Sequence, residues 1–257
     1  MINKEFDLTH SDYGTVKAFE YDAAILPWGA TEPHNLHLPY LTDCILSQSI
    51  GVEAARLAYE RYGVRIMTLP PVFFGSQNPG QTDLPFCIHT RYETQKAILE
   101  DIVTSLSRQG INKILIINGH GGNIFKNMIR DLNVIYPDML IACSEWFKVC
   151  NSSEYFDAPD DHADELETSV MMHFHPELVD LSKAGNGHST GFVPELLSEG
   201  KVWIPRNWAK VSKDTGIGNP EKATAEKGKR FAEAVISRYA DFMNEFINAP
   251  LYESEME

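Results

Sequence analysis

The feature that most constrains this chain is a set of short apolar runs that alternate with helical patterns. The run KILII at residues 113–117 has no polar residue after its lysine, and similar runs stand at 22–27, 64–70 and 139–143. Strands that are apolar on both faces are typical of a parallel sheet covered by helices on both sides. Helices are predicted at residues 43–61, 92–109, 123–136, 165–173 and 220–246. We therefore expect one doubly wound α/β domain over residues 1–257, with a mostly parallel central sheet.

Charge and composition restrict what such a domain binds. The 22 basic residues against 36 acidic ones give a net charge of −14, which disfavours nucleic acid and anionic membrane surfaces as partners. Four cysteines without CxxC spacing favour reduced thiols and a cytoplasmic location. The sequence has neither a secretory signal pattern nor an apolar stretch long enough to span a membrane, so neither secretion by a standard signal nor membrane spanning is expected.

Two long segments interrupt the alternation, at residues 72–90 and 181–218. Loops of this length in a compact domain are usually functional. In open parallel sheets the ligand binds beyond the carboxyl ends of the strands, so both segments are predicted to form pocket walls. Three tryptophans are candidates either to line that pocket or simply to pack in the core: Trp146, Trp203 and Trp208. Three basic residues are candidates either to hold a phosphate or to be solvated: Lys201, Arg206 and Lys210.

The segment PWGATEPHNLHLPYLTD at residues 27–43 carries the first candidate metal ligands. Glu32 and His34 are two residues apart, so on an extended segment their side chains face the same way, and Asp43 begins the next helix. Such oxygen and nitrogen donors suit zinc, manganese or iron. Taken singly, Asp43 has a simpler explanation as a helix cap and His34 as a polar loop residue. Together they favour a metal site.

Two further segments add candidates. In KILIINGHGGN, residues 113–123, His120 follows the third predicted strand at the same sheet edge. The glycine-rich turn has an alternative explanation as a phosphate cradle, although it matches neither GxGxxG nor the P-loop. In DHADELETSVM, residues 161–171, an imidazole and three carboxylates precede or begin a helix, where acidic residues are also favourable on dipole grounds alone: His162, Asp164, Glu165 and Glu167.

Four segments together resemble the creatininase (creatinine amidohydrolase) family: PWGATEPHNLHLPYLTD, NGHGGN, HADELETS and GIGNPEKATAEKGKR. The resemblance implies a three-layer α/β/α sandwich that hydrolyses a small-molecule amide and assembles as a homo-oligomer, such as a hexamer. It also implies two divalent metal ions per subunit, of Zn, Mn or Fe. Glu32 and His120 would bind one ion and His34 the other, with Asp43 bridging them.

Departures from the family pattern affect the second metal and the substrate. Creatininase proper has a glutamate two residues after the motif histidine, where this chain has Gly122, so Glu167 is expected to complete the second site. His162 is the candidate acid that protonates the leaving nitrogen. Changes at Gly121, Gly122, Asp164 and residues 84–87 fall where the resemblance places the pocket, so creatinine itself is not the expected substrate.

Three substrate types remain open within the family: cyclic ureides or amides, formamides, and short peptides. Two rival functions also remain open. One is a binding or sensor protein that has lost the chemistry, and the other is a phosphate-binding enzyme that uses residues 119–122 without a metal.

Overall fold

The computed structural model describes residues 4–252, and a sheet of four parallel strands forms its centre. The strands are β1 (Ala23–Trp28), β2 (Ile66–Thr68), β3 (Lys113–Asn118) and β4 (Leu140–Glu145), in the order β2-β1-β3-β4. Ile25 lies opposite Leu115, and Leu115 lies opposite Ala142. Since the chain leaves β1 for an edge strand and then returns to β3, the carboxyl ends of β1 and β3 lie side by side. The parallel sheet is thereby confirmed.

Helices cover both faces of this sheet. Ile25 and Leu26 point to opposite faces because side chains alternate along a strand, and they belong to two separate apolar clusters. The helices are α1 (Tyr13–Val16), α2 (Thr42–Tyr62), α3 (Tyr92–Arg108), α4 (Lys126–Ile135), α5 (Glu165–Phe174), α6 (Glu195–Ser198), α7 (Trp208–Val211) and α8 (Ala225–Asn248). The cluster around Ile25 is completed by α2, α5 and α8, and the cluster around Leu26 by α3 and α4. The architecture is therefore the predicted three-layer α/β/α arrangement.

Two predicted helix starts were wrong, each for a local reason. The helix expected from residue 123 begins at Lys126, because the Asn123 amide instead donates to the Gly29 carbonyl and to the Asn118 side chain. The helix expected from residue 220 begins at Ala225, where the Thr224 side chain accepts the first-turn N–H of Lys227. Within residues 4–252, no helix is both long and apolar enough to cross a membrane.

Contacts between α5 and α8 fix the end of α5 that faces the sheet edge. Glu165 is fully buried, accepts the backbone N–H groups of Asp157 and Ala158, and pairs with the Lys227 ammonium at 2.5 Å. At Gly228 a side chain would overlap with the Ser169 carbonyl, so the two helices can approach closely only with glycine there. The first turn of α5, which carries Glu167, is therefore held rigidly.

Candidate metal centre

The residues predicted as site residues converge at the carboxyl edge of the sheet. Glu32 and His34 follow β1, His120 follows β3, Asp43 lies in the first turn of α2, and Glu167 lies in the first turn of α5. His162 precedes α5. All six side chains are buried, with at most 8% of any residue exposed. The structure thus brings together every candidate ligand and the candidate acid.

Asp43 lies at the centre of two overlapping groups of donors. Its Oδ2 atom is 3.3 Å from Nδ1 of His120, which is also 2.8 Å from Oε1 of Glu32. Its Oδ1 atom is 2.8 Å from Nε2 of His34, and Glu167 completes this second group. In each group the ligand atoms lie within 4.8 Å of one another. A carboxylate with one oxygen in each group has the geometry of a bridging ligand.

Backbone carbonyls orient all three imidazoles. His34 donates from Nδ1 to the Glu32 carbonyl at 3.0 Å, and His162 donates from Nε2 to the Pro33 carbonyl at 3.0 Å. His120 donates from Nε2 to the Ser76 carbonyl at 2.7 Å. Because a carbonyl only accepts, the outward nitrogen of each ring carries its hydrogen and the inward nitrogen has a lone pair for a metal.

The buried carboxylates of Glu32 and Asp43 favour positive charge in this cluster. Within residues 4–252, Asp43 Oδ2 is buried without a hydrogen-bond partner. Burial opposes charge on His34, but the Asp43 carboxylate outweighs it and raises the imidazole pKa to about 10. Burial likewise opposes charge on His120, but Glu32 raises its pKa well above the usual value. Positive charge is therefore favoured beside these carboxylates, and the oxygen and nitrogen donors fit a divalent zinc, manganese or iron ion.

The three acidic residues at the start of α5 have separate surroundings. Asp164 caps the helix by accepting the Glu167 N–H at 2.9 Å. Glu165 faces Lys227, as described above. Glu167 accepts the Ala163 N–H at 2.6 Å and is the one of these three that belongs to a donor group. Burial raises the pKa of Glu167 to about 8, against the opposing charge of His34.

Gly122 has a steric reason to be glycine. A side chain there would overlap with the Ser76 carbonyl and with the His120 ring. The glutamate that creatininase proper carries at this position therefore has no room here. At Gly121, by contrast, a Cβ atom would meet no atom of the described residues within 4 Å.

A cavity of about 1070 Å³ opens onto the donor groups, and both predicted wall segments contribute to it. Trp203 and Trp208 line it, whereas Trp146 is fully buried and packs against Phe231 in the core. Arg206 pairs with Asp161 at 2.5 Å, so its charge is already balanced at the cavity wall. Sequence reasoning missed the carbonyls of Pro33 and Ser76, because main-chain acceptors have no signature in side-chain identity. It also missed Gln81, whose amide donates to Glu32 from 49 residues away in the chain.

We predict that Gly122→Ala displaces the Ser76 carbonyl and releases the His120 ring. Zinc affinity, measured by competition with a chelator, should fall roughly 10–100-fold, the usual effect of losing such an orienting partner. Gly121→Ala is the matched control and should bind zinc as the unchanged protein does. Equal affinities for the two variants would show that the carbonyl does not orient the ring.

Comparison with known proteins gives relatives of several activities. A mycofactocin precursor peptide peptidase from Mycobacterium ulcerans is 29% identical over 231 residues, covering 86% of this chain and 85% of the relative. The creatinine amidohydrolase of Pseudomonas putida is 24% identical and covers 93% and 95%. A 3-dehydro-scyllo-inosose hydrolase of Thermotoga maritima is also 24% identical and covers 91% and 82%.

Solved structures agree in fold. A proposed creatinine amidohydrolase from Bacteroides fragilis is 60% identical, with a TM-score of 0.96 over 98% of this chain and 100% of that one. A creatininase structure described with Mn has a TM-score of 0.77 at 21% identity, covering 95% and 100%, and a variant of Zn-Zn type has 0.75, also at 21%, covering 94% and 98%. The sequence profile of the creatininase family, described as creatinine amidohydrolase, matches residues 7–243. This chain belongs to the creatininase family.

Proposed function

We propose that this protein is a metal-dependent amidohydrolase that cleaves a non-peptide C–N bond of a small molecule. The observation that carries the proposal is the pair of buried donor groups that share Asp43. Glu32, Asp43 and His120 would hold one divalent metal ion, and His34, Asp43 and Glu167 would hold a second. Mn and Zn in the descriptions of related creatininase structures support these two metals as candidates.

When bound, divalent metal ions would supply Lewis acidity that polarises a substrate carbonyl and makes a water molecule more acidic. The protein residues supply orientation and proton transfer. The carbonyls behind His34 and His120 keep each inward nitrogen aimed at Asp43 and Glu32.

His162 is placed to move the proton that amide cleavage requires. Its Nε2–H is held by Pro33, so Nδ1 faces the donor groups, 3.9 Å from Oε1 of Glu32. Its ring lies edge-on to Trp208, with ring centroids 5.3 Å apart. In this role Nδ1 takes a proton from the attacking water and passes it to the leaving nitrogen. The same nitrogen also forms a donor group with Glu32 and His34, so a test must separate proton transfer from metal binding.

Cleavage of a short peptide is a second candidate. The cavity, at about 1070 Å³, slightly exceeds the roughly 300–1,000 Å³ that hold drug-sized ligands. The relative from Mycobacterium ulcerans is described as a peptidase. A single-domain organisation, assembly as a homo-oligomer and a cytoplasmic location remain predictions from the sequence.

We predict that the metal-reconstituted protein holds two equivalents of Zn, Mn or Fe, and that Glu167→Gln loses one of them. The amide keeps the shape of the side chain but removes the charge that a metal ligand supplies. Glu145→Gln is the matched control: it removes a carboxylate from the wall of the same cavity, but Glu145 belongs to no donor group within residues 4–252, so both metals should be kept. Elemental analysis after chelation and reloading measures the metal content of each protein.

Retention of both metals by Glu167→Gln would remove Glu167 from the ligand set. If the protein without substitutions took up no metal after reloading, that result would contradict the proposed function and favour the phosphate-binding alternative.

We predict that His162→Ala lowers kcat by roughly 10²–10⁴-fold at unchanged metal content, because that is the usual contribution of a general acid or base. Metal content is measured on the same preparation. Loss of a metal equivalent from His162→Ala would instead make His162 a ligand.

We predict that creatinine is a poor substrate compared with other amides. The residues that differ from creatininase proper, Gly121 and Gly122, border the cavity, and lost pocket contacts reduce orientation without removing the nucleophile. A panel of formamides, cyclic ureides, short peptides and creatinine, assayed with the metal-loaded protein, tests this. Faster turnover of creatinine than of every other compound in the panel would contradict the prediction. If the protein at full metal occupancy turned over none of the compounds, a binding function would be favoured instead.

A further inference from the structure

Gln81 is a buried polar residue that the proposed chemistry leaves without a role. It is 1% exposed and lies in the wall formed by residues 72–90, beside Glu32. Its amide nitrogen donates to Oε2 of Glu32 at 2.5 Å, and its amide oxygen accepts the Asn78 N–H at 2.8 Å. Because the backbone N–H can only donate, the orientation of the amide group is fixed, and the NH₂ group must face the carboxylate.

The loop that carries Gln81 is braced from the opposite wall. The Pro79 carbonyl accepts the Trp208 N–H at 2.7 Å. Gly80 has a φ of 84°, and a Cβ there would lie 2.9 Å from the Ala209 nitrogen. The turn that aims Gln81 therefore depends on glycine at this position.

The two oxygens of Glu32 consequently have different partners. Oε2 is capped by the Gln81 amide, while Oε1 faces Nδ1 of His120 at 2.8 Å. A neutral amide donor holds a carboxylate in place without the positive charge that would compete with a cation, unlike lysine or arginine. The hydrogen bond also takes up one acceptor site of Oε2, which disfavours a second bond from Glu32 to a metal.

We propose that Gln81 is a positioning residue that makes Glu32 bind its metal through Oε1 alone, and so sets the affinity and geometry of the metal held by Glu32, Asp43 and His120. This inference rests on the proposed function. The second metal, held by His34, Asp43 and Glu167, does not contact Glu32 in this arrangement and is independent of Gln81. The effect of losing the Gln81 amide is therefore confined to one of the two metals.

The test titrates metal-free protein with Co²⁺ and compares Gln81→Met with Gln77→Met. Methionine keeps approximately the length of glutamine but cannot donate a hydrogen bond. Gln77 lies in the same wall, is also buried, and its side-chain amide has no partner within residues 4–252, so it is a matched control. Gln81→Met should weaken one cobalt site roughly 10–100-fold and change its visible absorption, leaving the other site unchanged. Gln77→Met should change neither.

Gly80→Ala gives an independent test, because it moves Gln81 without altering its chemistry, and it should weaken the same cobalt site. Thermal unfolding of each metal-free variant reports whether it is folded. If folded Gln81→Met bound Co²⁺ at both sites with unchanged affinity, or with affinities lowered equally at both sites, the inference would be overturned. The two-metal proposal would remain intact in either case. Failure of the unchanged protein to bind Co²⁺ would overturn the proposed function itself, and the inference with it.

Discussion

The site is arranged around the interaction of the buried Asp43 carboxylate with both His34 and His120. This interaction requires the first turn of α2 to pack closely against the carboxyl ends of β1 and β3. Two glycines permit this: a Cβ at Gly29 would lie 2.6 Å from the Asp43 Cβ, and a Cβ at Gly119 would overlap with the Asp43 carbonyl. The approach of α2 thus places the Asp43 carboxylate between two imidazoles, and its Oδ2 atom has no hydrogen-bond partner in the described part of the chain. Burial makes an uncompensated charge there costly.

The second donor group depends on a different part of the fold. Glu167 reaches it because α5 is fixed by the Glu165–Lys227 pair and by close packing against α8. On the other side of the site, the space next to Gly122 is taken by the Ser76 carbonyl that holds His120. The carboxylate therefore comes from α5 and the orienting group from the loop after β2. These two features are sterically linked, because a glutamate at position 122 would displace the carbonyl.

The sequence predicted the parts of this structure that have a regular pattern. The parallel sheet followed from uninterrupted apolar runs such as residues 113–117, and Glu32, His34 and His120 were found because they follow predicted strands. Other features had no such signal. The start of α4 at Lys126 depends on a tertiary hydrogen bond of Asn123, and the role of Gln81 depends on a turn braced by a segment more than 120 residues away. Contacts that are distant in the chain leave no local periodicity to detect.

The carbonyls of Glu32, Pro33 and Ser76 have a consequence for how this site changes over evolutionary time. Every residue has a carbonyl, so a point substitution at positions 32, 33 or 76 can shift these acceptors but cannot delete them. Imidazole alignment is therefore buffered against mutation, whereas wall side chains that contact neither a metal ligand nor the turn at Gly80 have no such constraint. A scaffold of this kind can exchange one substrate for another by altering loops alone, which agrees with relatives whose described substrates are as different as a peptide and creatinine.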